Sequence, residues 1–312
     1  MVHDSILVTG SSGTIGTALS EALLGEGYDI ICADNRPNRW SETIDERTLN
    51  VDLANEDATD SLPESVDLII HLAANARVRR LVKNPDFAKE NFDSTYNVLE
   101  YARRINADVI FASSREVYGN RDTLIFEESD TQIDVSENPY TASKIGGEAL
   151  IKSYENCYGV DASIVRFSNI YGTYDASNRV IPLFIAQVSD GEDLVVYGKG
   201  KVLDFTYIDD CISGILKVVS KFHKASGSTF NIASGQGTSI VELAEMIVDQ
   251  MDANVSIQTE SNRTGEVRRF VADISKARQV LGYEPEYDIA MGIEKTVDWY
   301  CSRQELFDEI RC

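Results

Sequence analysis

Residues 5–34 constrain this chain more than any other stretch. Ser5-Ile6-Leu7-Val8 is a short apolar run, fit for a buried strand. Thr9-Gly10-Ser11-Ser12-Gly13-Thr14-Ile15-Gly16 follows, then a helical pattern near 15–26, then a second apolar run, Ile30-Ile31-Cys32-Ala33, ending at Asp34. Strand, glycine turn, helix and strand make a βαβ unit, and the turn is of the kind that cradles a pyrophosphate. The spacing is G-x-x-G-x-x-G, one residue wider at its first step than the usual dinucleotide fingerprint. Gly10 permits the tight turn, Gly13 lets backbone approach the phosphates, and Gly16 allows close helix packing. Asp34 follows Gly16 by 18 residues, where a carboxylate accepts hydrogen bonds from ribose hydroxyls. An acid there repels a 2′-phosphate, which favours NAD over NADP, although Arg36 and Arg39 lie nearby. Asp52-Leu53, after a third short segment, is placed either to cover the adenine or as an ordinary solvated turn.

The same alternation continues. Leu68-Ile69-Ile70-His71-Leu72, Val109-Ile110-Phe111-Ala112 and Val160–Phe167 read as strands, with helices near 86–105 and 139–158. Continuous apolar strands separated by helices predict a parallel sheet covered on both faces. After about residue 170 the segments shorten: Leu194–Gly198, Phe205–Tyr207, a helix from Asp209, and helical patterns near 238–250 and 288–302. The expected architecture is α/β, a Rossmann-type doubly wound parallel sheet with a smaller C-terminal α/β substrate-binding domain. Residues 1–170 form the NAD-binding part, with a return segment near 204–232, and 171–312 mainly bind substrate.

Composition narrows the function. With 51 Asp+Glu against 29 Lys+Arg, the net charge is −22. Nucleic acid and anionic membrane are repelled at long range, so neither is an expected partner. Lysine is the scarcer cation, which suits an ordinary acidic cytosolic protein or one adapted to salt. The five cysteines are scattered without metal-ligand spacing, so reduced thiols and no metal site are expected. Met1–Asp4 runs straight into the first strand, and no apolar run is long enough to span a membrane, so a cytoplasmic location is expected.

Pro139-Tyr140-Thr141-Ala142-Ser143-Lys144 contains Tyr-x-x-x-Lys. On a helix these two side chains share a face, and an ammonium beside a phenol favours the phenolate. A tyrosine so placed serves as a base near neutral pH. Ser113-Ser114 ends the preceding strand, and Ser114 can hydrogen-bond the same substrate oxygen as Tyr140.

TGSSGTIG, Asp34, HLAA (71–74), SSREVYG (113–119), PYTASK, RFSNIYG (166–172), LDFTYIDD (203–210) and RTGEVRRFVADISKARQVLGYEP (263–285) occur in order along the whole chain. Together they resemble the extended short-chain dehydrogenases/reductases of the NAD-dependent epimerase/dehydratase family. The resemblance implies a nucleotide-diphosphate sugar as substrate and NAD as a recycled redox group. It implies cofactor contacts from Thr14, Ile15 and Asn35, from Leu72, Ala73 and Ala74, and from Asn91 and Phe167. Tyr140 would take the proton of a sugar hydroxyl at C4, Lys144 would lower the Tyr140 pKa and hold the nicotinamide ribose, and Ser114 would bridge substrate and Tyr140. Asn169 and Arg263 match residues that contact the sugar or diphosphate; Val180 and Tyr197 lie where relatives line the base pocket of the substrate, or serve as plain core. Leu203 stands where the family usually carries an arginine, leaving Lys199, Lys201, Arg263 or Arg179 to meet the diphosphate.

The choice among activities turns on Ser114-Arg115-Glu116. Sugar 4,6-dehydratases resembling this chain carry Asp-Glu after the Ser/Thr, and Arg115 cannot supply the acid for water loss. Glu116 matches half of the pair in nucleotide-sugar decarboxylases, or simply pairs with Arg115 or Arg121. The favoured activity is a 4-epimerase of the UDP-glucose/UDP-galactose type, needing only Tyr140, Ser114 and NAD. An acidic sugar met by Arg115, other reactions of the family, and a non-enzymatic NAD-binding scaffold are the alternatives. Relatives dimerise through helices matching 86–105 and 140–158, so a homodimer is expected. Phe87, Phe92, Val98, Tyr101, Ile151 and Tyr154 are candidates for that interface or for the core.

Overall fold

The computed structural model describes residues 3–261 and 267–311. Its centre is a sheet of seven strands: β1 Ser5–Thr9, β2 Asp29–Asp34, β3 Thr48–Asn50, β4 Leu68–His71, β5 Asp108–Ser114, β6 Ala162–Phe167 and β7 Thr229–Ile232. Their order is β7-β6-β5-β4-β1-β2-β3, and every neighbouring pair is parallel. The apolar runs read from the sequence are therefore strands, and burial on both faces explains why they do not alternate with polar residues. Ile6 and Val8 point into one core and Leu7 into the other, all fully buried.

Helices α1 (Thr14–Gly25), α2 (Asp86–Ile105), α3 (Pro139–Tyr158), α4 (Val180–Ser189) and α5 (Ile208–Ser220) position the site. Leu19 and Leu23 of α1 share one core with Ile208, Cys211 and Ile215 of α5. On the opposite face α2 contributes Val98, Leu99 and Tyr101, and α3 contributes Ile151 and Tyr154. Four of the six proposed interface residues, Val98, Tyr101, Ile151 and Tyr154, are thus core; Phe87 lies under the Arg80 guanidinium, 4.0 Å from its ring centroid. Phe92, Tyr96 and Tyr158 are the exposed aromatics of α2 and α3. The start of α3 is fixed locally: Asn138 caps it by accepting the Thr141 N–H at 3.0 Å, and Pro139 fills its first turn.

A second sheet packs beside the first. Val202–Tyr207 pairs antiparallel with Gly237–Ser239 and parallel with Arg269–Ala272 and Asn169–Tyr171, and Ile125–Phe126 joins at the edge. The chain therefore crosses between layers more often than two blocks suggest. The return to the first layer comprises α5 and β7; residues 204–207, expected within it, belong to the second sheet instead. Leu203 is core there. Asp204, also buried, accepts hydrogen bonds from the N–H groups of Ser234, Gly235 and Ala272 and from the Ser234 hydroxyl, tying the layer together.

No described helix is long and apolar enough to cross a membrane. Among the described residues no cluster of His, Cys, Asp and Glu is arranged to hold a metal.

Candidate functional site

The strand order reverses between β1 and β4, and ligands of open parallel sheets bind in the crevice at the carboxyl ends of strands at such a point. Here those ends are Thr9-Gly10 and His71-Leu72. Gly10 has φ +72° and lies against the chain leaving β4: a Cβ on it would stand 2.7 Å from the Ala73 nitrogen. Thr9 ties the two ends together, its hydroxyl 2.8 Å from His71 Nδ1 and accepting the Ala73 N–H at 3.3 Å. Gly13 precedes α1 as its cap, and Thr14 and Ile15 open the helix, so the first-turn N–H groups face the crevice. Gly16 packs against the loop itself, since a Cβ would be 2.0 Å from the Gly10 carbonyl oxygen.

Asp34, at the end of β2, is buried. It accepts the Ser12 N–H at 3.1 Å and the Arg36 N–H at 3.0 Å. The carboxylate thus holds the glycine loop and retains lone pairs for a ribose. A loop with no room for side chains, a helix N-terminus and a buried acid beside them fit a dinucleotide without a 2′-phosphate. Asn35 and Asp52 are exposed, whereas Leu53 is core and its carbonyl accepts the Asn97 side chain at 2.9 Å. Leu72, Ala73 and Ala74 are part-exposed along the exit of β4. Asn91 of α2 accepts the Asn75 N–H at 2.7 Å and donates to the Ser143 hydroxyl at 3.2 Å, joining that exit to the Tyr140 helix. Phe167 closes β6, level with Ser114 across the sheet.

Sequence reasoning missed Asn38. Buried, it donates to the Ser11 carbonyl at 3.1 Å and the Thr17 hydroxyl at 3.0 Å, bracing the glycine loop from the β2 side. A polar residue in a loop carries no signal of such burial.

Ser114, Tyr140 and Lys144 converge. Burial pushes the Tyr140 phenol up to about 12, and the Ser114 hydroxyl, hydrogen-bonded to it, acts against that rise. Arg179 and Arg115 also favour its phenolate and Glu116 opposes it. Lys144 is buried and brought down to about 8 by desolvation, with Glu148 opposing. Its Nζ donates to the Ala112 carbonyl at 2.7 Å and stands 5.9 Å from the Tyr140 ring centroid. Two arginines thus favour the Tyr140 phenolate, while the Lys144 ammonium, near the Tyr140 ring, is hydrogen-bonded to β5. His71, beneath them, is driven down to about 3 by burial and next by the Lys144 charge, so it is neutral.

Arg115 and Glu116 form a part of this wall. Arg115 Nη2 is 3.0 Å from Glu116 Oε1, and its Nε donates to Asn169 Oδ1 at 3.1 Å. Glu116 Oε2 accepts the Asn138 side chain at 3.3 Å. Asn169 in turn donates to the Asp204 carbonyl at 2.8 Å within the second sheet, so the Arg115–Asn169 bond joins the end of β5 to that sheet. Arg121 pairs with Asp130 at 3.8 Å, leaving Arg115 as the partner of Glu116. Arg179 precedes α4, half exposed and 4.0 Å from Asp175, and Val180 begins the helix. Tyr197 ends the strand Leu194–Tyr197 opposite Glu260. Arg263 lies outside the described residues. Lys199 is exposed and Lys201 half-buried in the loop before Val202.

Residues 6–233 match the model of the NAD dependent epimerase/dehydratase family. A putative UDP-glucose 4-epimerase of Methanocaldococcus jannaschii is 33% identical, over 94% of this chain and 97% of its own. Two solved structures superpose along nearly the whole length. The UDP-glucuronic acid 4-epimerase of Bacillus cereus, in complex with UDP-glucuronic acid and NAD, has a TM-score of 0.88 at 28% identity, covering 96% of this chain and 99% of that one. The dTDP-glucose 4,6-dehydratase of Streptomyces venezuelae, with NAD bound, has a TM-score of 0.89 at 28% identity, covering 98% and 99%. The glycine loop at the switch point, the buried Asp34 and the Ser114–Tyr140–Lys144 group lie within the matched region, and the chain belongs to the NAD-dependent epimerase/dehydratase family.

Proposed function

We propose that this enzyme is a nucleotide-sugar 4-epimerase of the UDP-glucose/UDP-galactose type. The observation that carries the choice is the Arg115–Glu116 pair. Elimination of water or loss of carboxylate needs a free acid or base beside Ser114. Arg115 is a permanent cation, and Glu116 is tied between it and Asn138. Epimerisation at C4 needs neither. The curated relative named a putative UDP-glucose 4-epimerase points the same way.

In this proposal Ser114 and Tyr140 grip the C4 hydroxyl, and the Tyr140 phenolate takes its proton as the C4–H bond breaks. NAD, when bound, would supply the acceptor for the C4 hydride and the donor for its return to either face of C4. The Gly10–Gly16 loop and the α1 N-terminus hold the pyrophosphate, Asp34 the adenine ribose, and Lys144 the nicotinamide ribose. Once the 4-keto sugar had turned over in the cleft, Tyr140 would hand the proton back to O4. Asn169, Arg179 and Arg263 hold the diphosphate and sugar. Residues 1–170 with 208–232 carry the cofactor, and the remainder carries the sugar.

A second reading, a uronate 4-epimerase, is favoured by one observation: two guanidinium groups, Arg179 and Arg115, act on Tyr140. A sugar carboxylate suits such donors. We also place the enzyme in the cytoplasm as a homodimer, its α2–α3 face covered by a second copy. Support for the dimer comes from Phe92, 39% exposed, and Tyr96, 46% exposed, on that face.

The test is product analysis with UDP-glucose, UDP-glucuronate and dTDP-glucose. UDP-galactose from UDP-glucose is the expected result. Preferred turnover of UDP-glucuronate selects the second reading, and a 4-keto-6-deoxy product or no product on bound NAD overturns both. Sedimentation of a monomer at micromolar concentration overturns the dimer.

A further inference from the structure

Consecutive residues at the end of β5 face α3. The Ala112 carbonyl accepts Lys144 Nζ at 2.7 Å, the Ser113 hydroxyl donates to Glu148 Oε1 at 2.5 Å, and the Ser114 hydroxyl is placed to favour the Tyr140 phenolate. Tyr140, Lys144 and Glu148 are spaced four apart and form one stripe of the helix. Glu148 is buried and held bidentately by Arg166 of β6, with Nε to Oε1 at 2.8 Å and Nη2 to Oε2 at 2.6 Å. Arg166 also donates to the Tyr118 hydroxyl at 3.0 Å and the Glu128 carbonyl at 2.8 Å, and Tyr118 donates to Asn231 of β7 at 2.6 Å. A buried ion pair of this kind is weak as a source of stability, because apolar side chains of the same volume serve as well or better. Its place beside the Tyr140 stripe calls for another account.

We propose that Glu148 is a positioning residue for Tyr140 and Lys144: pinned by Arg166, it fixes the end of β5 through Ser113 and sets an anion one turn beyond the Lys144 ammonium. This rests on the roles assigned above to Tyr140 and Lys144. The grip on Ser113 determines where its neighbours, the Ala112 carbonyl and the Ser114 hydroxyl, stand against the helix. The anion matters because Lys144 is desolvated. The other groups around it are His71 from β4, kept neutral by burial, the Phe111 ring of β5, and Tyr140 itself. Arg166, Tyr118 and the Glu128 carboxylate, which accepts the Asn231 N–H at 2.8 Å, stand behind Glu148. Arg179, Arg115 and Glu116 act on Tyr140 from the substrate side. Burial brings Lys144 down, and Glu148 is the charged side chain that opposes it. Without that anion the ammonium loses its proton at lower pH.

The experiment is kcat and KM for the nucleotide sugar across about pH 6 to 9.5 in Glu148→Gln, Ser113→Ala and Tyr140→Phe. In E148Q the alkaline limb of kcat moves toward acid by about one pH unit, with KM within about twofold. In S113A, which keeps the anion and loses the grip, kcat falls roughly tenfold at every pH and the limb stays in place. A folded E148Q with an unmoved limb, or a loss uniform in pH, overturns the proposal. If E148Q does not fold, S113A decides alone: wild-type kcat overturns the proposal and a tenfold fall with unchanged KM upholds it. Turnover retained in Y140F strikes instead at the catalytic assignment on which the proposal rests.

Discussion

Gly16 offers a test in which two known effects oppose each other. It is the third residue of α1, and replacing a helical glycine with alanine ordinarily gains about 1 kcal/mol. Here the new methyl would be 2.0 Å from the Gly10 oxygen and 2.8 Å from both the Gly10 carbon and Ser11 Cα. All three atoms are backbone, so nothing can swing aside, and α1 must retreat from its loop by about 1.4 Å to restore ordinary contact. Overpacking of this kind costs roughly 1–3 kcal/mol, and the rigid surroundings put it at the upper end. The expected net loss for Gly16→Ala is about 2 kcal/mol. NAD affinity falls as well: one lost hydrogen bond from an N–H to a phosphate is worth about 1.5–3 kcal/mol, or on the order of 10- to 100-fold. Gly25, at the far end of the same helix, has nothing within 4 Å of its would-be Cβ. Gly25→Ala is the matched control and should be neutral or slightly stabilising. Urea unfolding of the NAD-free protein and calorimetric titration with NAD read both quantities. If Gly16→Ala matches its control in stability and in NAD affinity, the close packing of loop and helix is wrong.

Other consequences are equally direct. Tyr140→Phe is expected to keep the fold and lower kcat by about 10²–10⁴, measured by turnover of the nucleotide sugar; wild-type turnover would remove Tyr140 from the chemistry. Asp34→Ala should weaken NAD by roughly tenfold or more and narrow the gap to NADP, since both the ribose acceptor and the repulsive charge are gone; unchanged selectivity in binding titrations would count against its role. His71 stays neutral down to about pH 3 when folded but takes a proton near 6.5 when unfolded, so the unfolded chain binds more protons between those values. Stability therefore falls as pH drops through that window, by about 2 kcal/mol between pH 7 and 5 from this residue alone. His71→Asn should flatten that part of the urea-unfolding pH profile.

The first layer was legible because its chemistry repeats in short sequence windows. Buried parallel strands are continuous apolar runs, and the glycine spacing announces a turn with no room for side chains. β3 and β7 were not read as strands, since Thr48–Asn50 and Thr229–Ile232 are brief, partly polar and defined by partners far along the chain. Tyr140 and Lys144 were visible from helical spacing, and the same spacing reaches Glu148. What the spacing could not show is that Glu148, Arg166 and Asp204 are buried, because a charged residue in a sequence reads as solvated until its partner is known. The apolar stripe of α2 and α3 was visible too. Which part of it faced the sheet was not, and Val98 and Tyr101 went inward while Phe92 and Tyr96 stayed outside.

The late arrival of β7 bears on how the molecule is made. Six strands of the central sheet are complete once Phe167 has been synthesised, but β6 then has a partner on one side only. Its backbone groups on the other side stay open until residues 229–232 emerge, about sixty residues later. In the interval the nascent chain presents an apolar strand edge, the surface that pairs with the wrong chain. Every truncation ending before Thr229 makes that interval permanent. The first layer thus depends for its solubility on residues that follow most of the second sheet in the chain.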